Sequence, residues 1–115
     1  MPKLTIVIPT FTIDAKLEQM AYDCARSYKQ YAERIIICED GGKYSSQLQG
    51  IADTYIYNWN NVGFTKNVNR GWRYSDADFT GIVSSDTYLY EGDISDLCIK
   101  GKVTSPEIIN QVIPY

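Results

Sequence analysis

Asp86 closes the stretch Phe79-Thr-Gly-Ile-Val-Ser-Ser-Asp86, in which a run of strand character delivers one carboxylate past two hydroxyl residues. In an open α/β sheet the carboxyl end of a strand is where ligands bind. A single carboxylate there suits Mg²⁺ or Mn²⁺, whose remaining positions substrate phosphates and waters can fill. Two other strand-like runs also end in polar groups, Leu4-Thr-Ile-Val-Ile-Pro9 in Thr10 and Arg34-Ile-Ile-Ile-Cys38 in Glu39-Asp40. Asp40 could accept hydrogen bonds from a base N–H or from ribose hydroxyls. Pro9, Thr10 and Phe11 could wall the base, and a cation on Asp86 could offset the charge of a diphosphate. Asp40 before Gly41-Gly42 also has a plainer reading as a turn former, as does Asp86 after its strand.

What the chain lacks narrows the chemistry further. It contains no histidine, which removes Ser-His-Asp and Cys-His nucleophile pairs and most zinc sites. Pro9-Thr-Phe-Thr12 follows the first strand, so neither GxGxxG nor GxxxxGK[ST] is present at that turn. A receiver-type phosphoacceptor would need acidic residues there, and none occurs. Any reaction must run on carboxylates, hydroxyls, amides and a metal ion.

These groups are positioned by alternating elements. Strands are expected at residues 4–9, 34–38, 54–58 and 79–85. Helices are expected at 14–31, 44–51 and from Gly63 through Trp72, the last with Phe64, Val68, Gly71 and Trp72 on one side. Asp14 and Glu18 suit the positive end of the first helix. Tyr55, Tyr57 and Trp59 alternate along the third strand, which favours core packing. Such alternation implies an α/β fold with a parallel sheet ordered 3-2-1-4 and helices on both faces. In that order Thr10, Asp40 and Asp86 lie along one edge and are expected to face a common pocket. Beyond Asp86, residues 93–99 read as a short helix and 102–105 as a short strand. Residues 107–115 fit a helix or a docking segment.

Size and composition fit one domain over residues 1–115: 44% of residues are hydrophobic and 22% charged, which allows a real core. The formal net charge of −3 and the lack of a basic stripe argue against nucleic-acid or anionic-membrane binding. No apolar run approaches a membrane span, and residues 4–9 are too short for a signal-peptide core. Cys24, Cys38 and Cys98 are an odd number without CxxC spacing. They read as small buried hydrophobes, and the expected compartment is the cytoplasm. The apolar positions Ile108 to Ile113 are expected to be covered by self-association, as a homodimer.

Four segments together carry a resemblance. Ile6-Val-Ile-Pro-Thr-Phe11, Ile37-Cys-Glu-Asp-Gly-Gly42, Asn61-Val-Gly-Phe64 with Asn69-Arg-Gly71, and Val83-Ser-Ser-Asp-Thr87 are similar, in order and spacing, to IPTYN, VDDGS, NxGFxxxxNxG and NNDT. These are motifs of the family 2, GT-A-fold glycosyltransferases, which the sequence resembles over residues 4 to about 90. The resemblance implies a nucleotide-sugar-binding domain in which Pro9, Thr10 and Phe11 border the nucleotide and Asp40 contacts the base, commonly uracil. Lys66 and Asn69 would lie by the diphosphate, Ser85 would also sit at the nucleotide, and Asp86 would ligate Mg²⁺ or Mn²⁺. Glu39 stands where the family has the first Asp of VDDGS. Ser84 and Ser85 replace the first two residues of DxD, so metal binding rests on one carboxylate. Lys100 to Ile109 resembles the family's vGivGPkil segment at a shorter distance than usual. The family's acceptor-binding half, with the catalytic carboxylate of inverting members, has no counterpart in this sequence. Glu91 and Asp93 are the local candidates for a base.

The expected function is therefore transfer of a sugar from a UDP- or dTDP-linked donor to an acceptor hydroxyl. The competing expectation is a reduced, inactive scaffold of the same fold that binds nucleotide or serves as an interaction module.

Overall fold

The β-branched runs pair as parallel strands because the apolar spacing between them supplies helices to cover both faces. A computed structural model describes residues 3–89 and 92–104. Its elements are β1 (Leu4–Thr10), α1 (Ala15–Tyr28), β2 (Arg34–Glu39), α2 (Ser46–Ile51), β3 (Thr54–Tyr57), α3 (Phe64–Trp72), β4 (Phe79–Ile82) and a 3₁₀ turn, Ile94–Leu97. The four strands form one sheet in the order β3-β2-β1-β4, all parallel, as the sequence implies.

The two faces of the sheet follow strand parity. Leu4, Ile6 and Ile8 of β1 and Ile35 and Ile37 of β2 pack with Ala21, Cys24, Ala25 and Tyr28 of α1 and Leu48 and Ile51 of α2. Val7, Ile36 and Cys38 form a smaller cluster on the opposite face, under α3. Asp14 caps α1, its Oδ1 accepting from Leu17 N at 2.8 Å. Glu18 acts on a neighbouring helix instead. It is buried in α1 and its Oε2 accepts Gln47 N at 3.0 Å, which caps the first turn of α2 from outside that helix.

Several expectations need correction. The fourth strand stops at Ile82 rather than Ser85. Val83 N still donates to Val7 O at 3.0 Å, but the chain then folds into a turn closed by Thr87 N on Ser84 O. The inward side of α3 is Asn67, Val68 and Gly71, whereas Phe64 and Trp72 are exposed. Gly71 explains this rotation: a Cβ there would lie 2.6 Å from Val7 Cγ1 and 3.0 Å from Cys38 Sγ, so the helix seats its glycine against the sheet. Trp59 falls beyond the end of β3 and is 86% exposed, so it is no core residue. Residues 93–99 give only the 3₁₀ turn, and residues 102–104 are not strand. Glu91 and residues 105–115, which include Ile108 to Ile113, lie outside the described residues. Among the described residues no helix is long and apolar enough to cross a membrane.

Candidate functional site

Strand order decides where the carboxyl edge can open. The chain leaves β1 for α1 on one face, while α3 carries it from β3 to β4 across the other. Between β1 and β4, neighbours in the sheet, the connections diverge and leave a crevice. Phe11, 48% exposed, borders it after β1, and the turn from Ser84 to Thr87 borders it after β4.

Asp86 is exposed in that turn, and its Oδ1 accepts from Ser84 Oγ at 2.6 Å. The turn is fixed from below. Thr87 Oγ1 and Cys24 Sγ both donate to Ser84 O, at 2.7 and 3.5 Å. Burial pushes the Cys24 thiol up to about 12, a hydrogen bond with Thr87 opposes that shift, and the nearby Asp86 charge adds to it. Ser85 is half-buried in the same turn. Among the described residues no group of three or more His, Cys, Asp or Glu side chains could hold a metal. The donor set therefore fits a mostly hydrated Mg²⁺ or Mn²⁺ completed by phosphate oxygens, with Asp86 as its protein ligand, and not a closed protein cage.

The other two strand ends turn inward. Thr10 is buried, and its Oγ1 donates to Glu39 Oε1 at 2.8 Å. Glu39 has no exposed surface, yet its carboxylate is saturated: Thr12 Oγ1 also reaches Oε1, while Thr12 N and Gly42 N each reach Oε2 at 2.9 Å. A buried carboxylate is tolerable when its lone pairs are occupied in this way. Gly42 has no room for a side chain, because a Cβ would meet Thr12 O at 2.4 Å.

Asp40 points to the opposite face of the sheet from Glu39, since consecutive strand residues alternate. Its Oδ1 accepts Asn58 Nδ2 at 3.1 Å and Val62 N at 2.8 Å, and its Oδ2 accepts Gly63 N at 3.0 Å. Asn58 Nδ2 donates also to Asn67 Oδ1 at 2.8 Å, Asn67 Nδ2 to Cys38 O at 2.8 Å, and Arg70 Nη1 to Asn58 Oδ1 at 2.9 Å. Asp40 is thus the hub that ties the 58–63 loop and the start of α3 to β2. Gly41, at φ +96°, lets that loop approach, for a Cβ would lie 3.3 Å from Asn58 O and Asn61 N.

The expected site residues therefore separate. Phe11, Ser85 and Asp86 meet at the crevice. Pro9 is buried in β1, Thr10 faces Glu39, and Asp40 faces the α3 side. Lys66 and Asn69 are exposed on α3. Asp93 is exposed ahead of the 3₁₀ turn, where its charge acts on Cys98. Thr10, Asp40 and Asp86 do not converge as side chains. Two surface hollows, of about 690 and 420 Å³, run along α1 and beside the end of α3, and neither is lined by Thr10, Asp40 or Asp86. The crevice is an open groove.

Sequence reasoning missed Asn58 and Asn67. The signal for Asn67 was its inward position on α3 beside Val68 and Gly71, where an amide must find partners. Asn58 carried no comparable signal, because its partners come from β2 and α3.

No family model matches the chain, and no curated protein matches it. Among solved structures, the crystal structure of S. aureus TarS 1-349, a glycosyltransferase, is similar, with a TM-score of 0.62 and 16% sequence identity. The likeness covers 83% of this chain and 30% of that one, so this chain spans about a third of its neighbour's length. At that identity the likeness establishes a glycosyltransferase-like α/β fold.

Proposed function

We propose that this domain binds a nucleoside diphosphate sugar, UDP- or dTDP-linked, at the β1–β4 crevice and passes its sugar to an acceptor hydroxyl. The observation that carries this reading is the exposed Asp86 carboxylate at the point where the strand connections diverge. The fold likeness to a glycosyltransferase and the ordered motifs of family 2, GT-A-fold enzymes support it. Asp86 would hold Mg²⁺ or Mn²⁺, with Ser84 Oγ fixing the orientation of its carboxylate. When bound, the cation would offset charge on the departing diphosphate. Phe11 offers an exposed ring to the base. Asp40 and Glu39 act indirectly, bracing the loops beside the crevice. Asp93 remains the described candidate for a base, and a homodimer built on residues 108–113 is the proposed assembly.

A second reading is favoured by the saturation of Thr10 and Asp40. Both groups expected to contact nucleotide spend their hydrogen bonds internally, as they would in an inactive scaffold of this fold. Turnover separates the two. Incubation with UDP-glucose, UDP-N-acetylglucosamine or a dTDP-sugar should release nucleoside diphosphate in a Mn²⁺-dependent way that Asp86→Ala abolishes. Nucleotide binding without release would leave the scaffold reading in place.

A further inference from the structure

The loops that follow β1, β2 and β3 expose Phe11, Ile13, Tyr44, Trp59 and Phe64 along one rim. Their backbones interlock: Thr12 O accepts Lys43 N and Tyr44 N, and Gly41 packs against residues 58–61. Trp59 stands out among them. Its ring meets Tyr57 edge-on, with centroids 5.1 Å apart and planes at 82°. The residues on either side are tied down, Asn58 by Asp40, Asn67 and Arg70, and Val62 and Gly63 by Asp40. Asn61 Oδ1 closes a further turn on Gly63 N at 3.1 Å. An exposed indole on a mobile loop would need no explanation, whereas one held out by a braced loop does.

Charge selects what it could meet. Residues 54–65, Thr-Tyr-Ile-Tyr-Asn-Trp-Asn-Asn-Val-Gly-Phe-Thr, contain no ionisable acid or base other than tyrosine. The platform thus offers ring faces and amides without ion pairing. A phosphate or an acidic peptide would find no cation on it, and an anionic lipid surface would find no basic flank. A neutral sugar ring matches instead. Its C–H face stacks on an indole, and its hydroxyls take both donor and acceptor contacts from amides such as the exposed Asn60 and Asn61.

We infer that Trp59, held upright by Tyr57 and flanked by Asn60 and Asn61, is a stacking platform for a neutral glycan outside the nucleotide crevice. Its service as an acceptor surface rests on the sugar-transfer reading; glycan binding itself does not.

The test uses the full chain carrying Trp72→Phe, so that Trp59 alone reports fluorescence. Maltohexaose, cellohexaose and chitohexaose are titrated separately, and UDP with Mn²⁺ is titrated into the same protein by calorimetry. At least one oligosaccharide should give a saturable change in Trp59 emission. By saturation-transfer NMR, Trp59→Ala should weaken that binding about tenfold or more, while Trp59→Phe retains part of it. Glycan binding without UDP binding would uphold the platform and remove the transfer reading. UDP binding with no response to any of the three glycans would overturn the platform, as would equal glycan affinity in Trp59→Ala. Self-association in sedimentation that Trp59→Ala abolishes would also overturn it, by assigning the surface to a second copy of the chain.

Discussion

The carboxyl ends of β2 and β4 look alike in sequence, each a strand running into an acidic residue and a turn, yet they do opposite things. At β2 both carboxylates are buried and saturated. Glu39 gathers Thr10, Thr12 and Gly42 on the α1 face, and Asp40 gathers Asn58, Val62 and Gly63 on the other. At β4, Asp86 is exposed in a short turn with Ser84 Oγ as the partner of its Oδ1. The β2 end spends its charge on holding loops together, whereas the β4 end presents its charge to solvent. Position at a strand end does not distinguish a ligand group from a brace. Burial and hydrogen-bond saturation do.

Substitutions at the two ends should part sharply. Glu39→Ala leaves two buried N–H groups and two hydroxyls without their acceptor, and we expect a loss of about 4 kcal/mol in urea unfolding. A loss under about 1 kcal/mol would mean the cluster is not the brace described here. Asp40→Asn places an amide against N–H donors, for an expected loss of about 2 kcal/mol. It should also speed hydrogen exchange at Val62 and Gly63, and unchanged exchange there would break the link between Asp40 and the 58–63 loop.

The cysteines report on the same contrast. Burial first of all pushes both Cys24 and Cys38 up to about 12, from an ordinary value near 9. The folded state therefore keeps these protons where the unfolded chain has lost them. Their contribution is intact below about pH 9 and falls as pH rises toward about 12, so stability should decline across that window. At pH 8, thiol labelling should proceed in the order Cys98, Cys24, Cys38. Cys98 is only partly buried, and Cys24 is covered by the Asp86 turn, whereas Cys38 lies beneath the seam at Gly71. Labelling of Cys38 before Cys24 would mean that the β2 end opens more readily than the β4 end. Asp86→Ala should have the smallest effect on stability, within about 0.5 kcal/mol, because the side chain is exposed.

The strand order was legible because each β-branched run lies between segments of helical spacing, and right-handed crossovers leave few arrangements. The three strand ends were legible as well, from Pro9-Thr10, Glu39-Asp40 and Ser85-Asp86. Their facing was not, because it depends on where each strand stops. Thr10 and Asp40 are set at the ends of β1 and β2 on opposite faces, whereas β4 ends early and lets Asp86 turn outward. The helical spacing of Phe64 and Trp72 misled for a related reason. A glycine at 71 reseats α3 so that Asn67 faces inward, and no local preference encodes that close approach. Trp59 read as core because β3 was expected to run one residue further than it does.

Calorimetric titration of UDP in the presence and absence of Mn²⁺, on the unaltered chain and on Asp86→Ala, goes to the centre of this account. We expect saturable binding that requires the metal and is lost in Asp86→Ala while the variant's unfolding midpoint is unchanged. Absence of heat with the unaltered chain, or equal affinity in Asp86→Ala, would contradict the assignment of the β1–β4 crevice as a nucleotide site.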